Sequence, residues 1–129
     1  MAKSLLTKLL KKCDSLLQSL VRAKFAFCEA CGAKCQVGHH WIEKSRSSHL
    51  RYNWKDNIVP LCNSCHSKIH NVFGNSVVGG LNVAEVIIKK RGRAWKNRMD
   101  RLQPTYQKVD VIWLEKIKTR LEKELSLIS

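Results

Sequence analysis

The sequence predicts an α+β fold: a small β-hairpin followed by a short helix, with longer helices at both ends of the chain. Three observations point to it. Apolar residues at helical spacing fill the N-terminal segment and recur near the C-terminus. Short extended segments, 37–42 and 57–61, lie between them. Two Cys-x-x-Cys pairs, Cys28/Cys31 and Cys62/Cys65, bracket the extended segments and can tie them to the short helix.

A chain of 129 residues is expected to form one domain. Its 44% hydrophobic content suffices for a small core, and chains this short often need a staple. Formal net charge is +14, from 24 Lys+Arg against 10 Asp+Glu. An excess of that size implies a polyanionic partner, nucleic acid first and an anionic membrane surface second.

Residues 3–24 read as an amphipathic helix. Leu5, Leu6, Leu9, Leu10, Cys13, Leu16, Leu17, Leu20 and Val21 share one side, with Lys3, Lys8, Lys11, Lys12 and Arg22 between them. The lysines keep this stretch from resembling a secretory leader, and no apolar run reaches membrane-spanning length. Paired thiols without a leader suggest metal binding in a reducing, cytoplasmic setting rather than a disulfide scaffold.

Residues 25–73 should form the core. Residues 37–42 make one strand and 57–61 its return, with Leu50, Arg51 and Tyr52 in the long connection. Pro60 suggests an open edge or an early end to the return strand. A helix from Cys65 to about Val72 comes next, because His66 and His70 share a face only at i, i+4 spacing. Residues 74–129 read as a basic helical extension. A glycine-rich loop covers 74–80, Asn82 with Glu85 resembles an N-cap pair, and the helix they start runs to about Lys90 with Gly92 as its stop. Pro104 ends the next segment. Asp110 caps a last helix with Trp113, Ile117, Leu121 and Leu125 on one face.

Each Cys-x-x-Cys turn presents two thiolates to one side of a tetrahedron, so Cys28, Cys31, Cys62 and Cys65 should hold one structural zinc. Cys35 is a competing ligand candidate, and Cys13 should pack as a small apolar residue. Four thiolates leave no open coordination position, so the chemistry must lie elsewhere. Hydrolysing a phosphodiester needs a base for water and a metal to offset charge. His40 is the candidate base, and His39 falls on the opposite face unless the strand twists. His66 and His70 are candidate ligands for a divalent ion, Mg2+ or Mn2+. Asn57 would brace the loop opposite His40 through its amide. The expected catalytic set is therefore His40, Asn57 and His39.

The order Cys-x-x-Cys, His-His, Asn, Cys-x-x-Cys-His, His, from Cys28 to His70, resembles the HNH endonucleases of the ββα-metal class. The resemblance implies metal-dependent DNA hydrolysis, with His40 as general base, Asn57 as the central asparagine, His66 as the metal-binding histidine at the helix start and His39 as a further ligand. Gly38-His39-His40-Trp41-Ile42 with Leu50-Arg51-Tyr52 is similar to phage recombination nucleases of the NinG type, which would place the chain in a host cytoplasm. The chain departs from them in carrying His66 where Asn is common and two histidines where one is usual. Aligning Trp41-Ile42 makes His40 the base; aligning Gly38 makes it His39. The first alignment is preferred.

Seven cations, Lys89, Lys90, Arg91, Arg93, Lys96, Arg98 and Arg101, form a basic flank suited to tracking DNA phosphates. Trp95, with Met99 and Leu102 at helical spacing, reads as core. Lys44, Arg46 and Arg51 lie in the hairpin connection, and Arg51 is the first choice for holding the scissile phosphate. The alternative function is a zinc-finger-like module that binds nucleic acid without cutting it. The leucine-rich helices should pack on each other or form a homodimer interface.

Overall fold

The computed structural model describes residues 4–44, 50–70, 77–102 and 108–128, with the backbone alone for 77–82. The expected α+β architecture is present, with α1 (Leu5–Lys24), the hairpin strands β1 (Val37–His40) and β2 (Ile58–Leu61), α2 (Asn63–His70), α3 (Val77–Arg91), α4 (Arg93–Leu102) and α5 (Val111–Ser126).

Ser4 starts α1 by accepting a hydrogen bond from the Thr7 amide, and Asp110 starts α5 in the same way at Trp113. Each satisfies an amide that the helix itself cannot. The apolar faces of α1 and α5 then meet each other within one chain. Leu17, Leu20 and Leu121 are fully buried there, and Cys13 donates its thiol to the Leu114 carbonyl at 3.5 Å. Burial of each leucine contributes roughly 1.5–3 kcal/mol. Burial also raises the Cys13 thiol, which fits its packing role.

The hairpin lies between two cores. Ile58 joins the α1–α5 cluster, while Val59 and Leu61 join a second cluster with Val83 and Ile87 of α3 and Trp95 and Met99 of α4. Alternate residues of a strand face opposite sides, so β2 is buried on both.

The antiparallel register pairs Gly38 with Pro60 and His39 with Val59. At the Gly38 rung both backbone groups turn away from β2. Its N–H donates to Gln18 Oε1 at 2.7 Å, and its carbonyl accepts from Gln18 Nε2 at 3.0 Å. This rung therefore asks nothing of the N–H that Pro60 lacks. The outer face of β2 meets the knuckle instead, where Glu29 N–H donates to the Pro60 carbonyl. Gly38 is also sterically required, because a Cβ there would lie 2.7 Å from Ile58 Cγ2 and 3.0 Å from Val21 Cγ2.

Four boundaries differ from the expected ones. β1 ends at His40 rather than Ile42, and β2 begins after Asn57, because the Asn57 amide takes over both backbone groups of Ile42. α2 begins at Asn63, two residues before Cys65. α3 begins at Val77, so 77–80 is helix rather than loop and Asn82 lies inside the helix, not at its cap. Two helical glycines cost only about 1 kcal/mol each, and packing of α3 on α2 outweighs that. Gly92, with φ +97°, ends α3 as expected. The expected end near Val72, the loop part 74–76, Pro104 and Arg46 lie outside the described residues.

Among the described residues, no helix is long and apolar enough to cross a membrane.

Candidate active site

The sulfur atoms of Cys28, Cys31, Cys62 and Cys65 all lie within 4.8 Å of one another, and Cys31 Sγ is 3.6 Å from Cys62 Sγ. A tetrahedral zinc with bonds of about 2.3 Å sets its sulfurs about 3.8 Å apart, so the cluster fits that ion. Its thiols also want a cation. Burial pushes Cys28 up, but hydrogen bonds from the backbone of Cys62, Cys31 and Ala30 outweigh it and bring the thiol down to about 7. Burial and bonding to its three neighbours push Cys65 up instead. A divalent ion removes this conflict by holding all four as thiolates. Cys35 is not part of the set. Its side chain packs in the α1–α5 core, with Sγ toward the Val37 carbonyl, and burial raises its thiol.

A cleft of about 280 Å3 is lined by residues that include Gln18, His39, His40, Glu43, Lys44, His66 and His70. β1 supplies His39 and His40, and α2 supplies His66 and His70 one turn apart. The ring nitrogens of His39, His66 and His70 lie within 4.8 Å of one another, and His66 Nε2 is 2.8 Å from His70 Nε2. Three imidazoles converging in this way can hold one metal ion. His39 is 8% exposed. Burial, then the nearby His66 and His70, lowers it to about 3, which keeps it neutral and ready to ligate. Burial also lowers His66.

His40 sits apart from the trio although it lines the same cleft. Its Nε2 is 2.8 Å from the Arg51 carbonyl oxygen, and burial lowers the ring, opposed by that bond. A carbonyl only accepts, so Nε2 carries the proton and Nδ1 is left as the basic nitrogen.

Asn57 is fully buried and does not line the cleft. Its Oδ1 accepts from Ile42 N–H at 2.7 Å, and its Nδ2 donates to the carbonyls of Ile42 at 3.0 Å and Leu50 at 3.2 Å. It therefore pins both ends of the connection that carries Arg51, and positions rather than touches a ligand in the cleft.

Arg51 points away from the cleft. Its Nε and Nη2 donate to Asp14 at 3.1 and 2.6 Å, and the Tyr52 hydroxyl donates to the same carboxylate at 2.9 Å. Burial and that carboxylate hold Tyr52 protonated. Among the described residues, Lys44 is the cation that lines the cleft. On the basic flank, Arg91 is clamped by Glu29, by the carbonyls of Asp56 and Ile58, and by the face of Trp95. Lys90 donates to the Glu29 carbonyl, Lys96 pairs with Asp100, and Arg98 with Asp56. Lys89, Arg93 and Arg101 are exposed. Trp95 is core, as expected, with its ring edge-to-face on Trp41.

Sequence reasoning missed Gln18 and Asp14. Both lie on the amphipathic α1 and act through contacts to residues far along the chain, for which no local pattern exists.

Residues 28–72 match the family model described as HNH endonuclease. The chain is also similar to the mitochondrial DNA mismatch repair protein mutS homolog of Sarcophyton glaucum, with 44% identity over 46 residues. That segment is 33% of this chain and 5% of the relative. No solved structure matches. The family match, together with the four-cysteine cluster, supports a nuclease or nucleic-acid-binding role built on a zinc-stapled core.

Proposed function

We propose that the chain is a metal-dependent DNA endonuclease that hydrolyses phosphodiester bonds with His40 as general base. The observation that carries this reading is the meeting of four histidines in one cleft, three as a ligand set and the fourth held apart by a backbone carbonyl. A module that only binds nucleic acid needs the cysteines but not this arrangement.

His39, His66 and His70 would hold the divalent ion. When bound, it would offset negative charge on the phosphate and on the departing 3′ oxygen. An all-imidazole set suits first-row transition ions better than Mg2+, which prefers oxygen, so Mn2+ or a later ion is favoured over Mg2+. His40, its Nε2–H fixed on the Arg51 carbonyl, takes at Nδ1 the proton of the water that attacks phosphorus. Lys44 holds the phosphate in the cleft. Asn57, Gln18 and Gly38 keep β1 and the connection in register. Lys89, Arg93 and Arg101 track flanking phosphates without choosing sequence. DNA as substrate agrees with the net charge of +14 and with the DNA-acting name of the similar protein.

The apolar faces of α1 and α5 are used on each other, and one copy supplies His39, His40, His66 and His70 to the cleft. A thiolate zinc site suits a reducing, cytoplasmic compartment.

Supercoiled plasmid incubated with zinc-loaded protein and Mn2+ should be nicked or linearised, and withholding Mn2+ should stop cleavage while DNA binding persists. Retarded but uncut DNA under every divalent ion would leave the binding module in its place.

A further inference from the structure

We propose that a second cleft, between the hairpin connection and α5, takes an unpaired nucleotide of single-stranded DNA. This cleft has a volume of about 380 Å3, within the size range of ligand pockets. Tyr52, Trp54 and Trp113 line it, together with Lys55, Arg120 and Glu124.

The aromatic content is selective. Of the four tryptophans in the chain, Trp41 and Trp95 pack edge-to-face in the second core, and the other two line this cleft. Trp113 lies 5.7 Å from Tyr52 between ring centres, tilted by 51°. Both indoles are only partly buried, although indoles normally contribute most when covered. Bases of any identity stack on such rings.

The charge around the rings selects an anion. Lys55 and Arg120 are exposed at the rim. Lys24 and Lys55 lie 4.6 and 5.5 Å from the centre of the Trp54 ring. Glu124, the acid on this wall, faces Lys24 at 3.8 Å, which offsets it. Aromatic platforms edged by cations match a base with its phosphate better than they match a neutral apolar ligand or a basic peptide. A duplex keeps its bases stacked inside and has none to offer here.

The cleft also adjoins the catalytic machinery in the chain. Arg51 gives its carbonyl to His40, and the next residue, Tyr52, lines the cleft. The choice of DNA as ligand rests on the nuclease reading, but binding is read without cleavage, so each can fail alone.

The test is fluorescence anisotropy of the zinc-loaded 129-residue chain, without added divalent ion, against a fluorescein-labelled oligothymidine and a duplex of equal length. Oligothymidine should quench tryptophan emission saturably. Lys55→Glu and Arg120→Glu should each weaken single-strand binding about tenfold, of the order of one stacked base and its phosphate. Their effect on the duplex should match that of Lys11→Glu, the same charge change on the exposed side of α1. Lys55→Gln and Arg120→Gln serve the same comparison should a reversal disturb folding. Single-strand binding as in wild type, or losses equal for strand and duplex, would overturn the assignment and leave the cleft as packing or as a protein contact.

Discussion

The Nε2 atom of His40 lies 2.8 Å from the carbonyl oxygen of Arg51, while the Arg51 guanidinium is gripped by Asp14 of α1. One residue thus sets the tautomer of the candidate base with its backbone and anchors that backbone with its side chain. Arg51→Gln should therefore lower stability by about 1–3 kcal/mol, the range for a part-buried, charge-assisted contact. Cleavage should fall with kcat more than with KM. The salt dependence of DNA binding should stay as in wild type. By contrast, Lys89→Gln or Arg93→Gln should reduce the slope of log K against log salt by about 0.9 for each lost phosphate contact. A reduced slope in Arg51→Gln would mean that it touches DNA after all.

Gly38→Ala places a methyl against Ile58 and Val21, where β2 and α1 both approach β1. Those neighbours are buried and cannot swing away, so the substitution should cost about 1–3 kcal/mol by denaturant unfolding. Because Gly38 precedes His39 and His40, cleavage should drop more steeply than the fraction folded. An unchanged midpoint would show that the hairpin can slide.

Asn57→Ala should be the more damaging change. It leaves the Ile42 N–H and carbonyl without partners in a buried position, and takes one of two donors from the Leu50 carbonyl, which keeps the Asn53 N–H. Each orphaned group costs about 1–3 kcal/mol, so the variant should be largely unfolded. Asn57→Asp should not rescue it, since a carboxylate cannot donate to the carbonyls of Ile42 and Leu50. Circular dichroism and thermal melts check both.

Without added Mn2+, stability should fall in acid between about pH 6.5 and 3. His39 stays neutral in the fold down to about 3, and burial lowers His40 and His66 as well. The unfolded chain takes up these protons near pH 6.5. Below that point the unfolded state binds more protons, so stability rises with pH across the window and is fully present above it. His39 contributes a slope of at most about 1.4 kcal/mol per pH unit. His39→Gln should flatten the profile, read from urea midpoints at a series of pH values.

Much of the site is legible in the sequence because its parts are local. The two Cys-x-x-Cys turns, the i, i+4 pair His66 and His70, and adjacent His39 and His40 each announce a geometry over a few residues. Adjacency on β1 brings His39 and His40 to one cleft, where His39 meets His66 and His70 while His40 is held by the Arg51 carbonyl. The parts beyond reach depend on distant partners. The cation run from Lys89 to Arg101 reads as a flank that tracks DNA phosphates, yet Arg91 and Arg98 are taken up by Glu29 and Asp56, far earlier in the chain. Gln18 and Asp14 look like ordinary polar residues on a helix until β1 and Arg51 are folded against them. The start of α3 at Val77 is hidden by Gly79 and Gly80, whose weak local preference tertiary packing overrides.

The division of labour between His39 and His40 is tested most directly by measuring plasmid cleavage and Mn2+ binding side by side in zinc-loaded His40→Ala and His39→Ala. His40→Ala should bind Mn2+ as wild type does and lose cleavage by a factor of about 100 or more, the contribution of a general base. His39→Ala should lose Mn2+ binding, and cleavage with it. Full cleavage by His40→Ala, or loss of Mn2+ binding in that variant while His39→Ala retains it, would contradict the assignment.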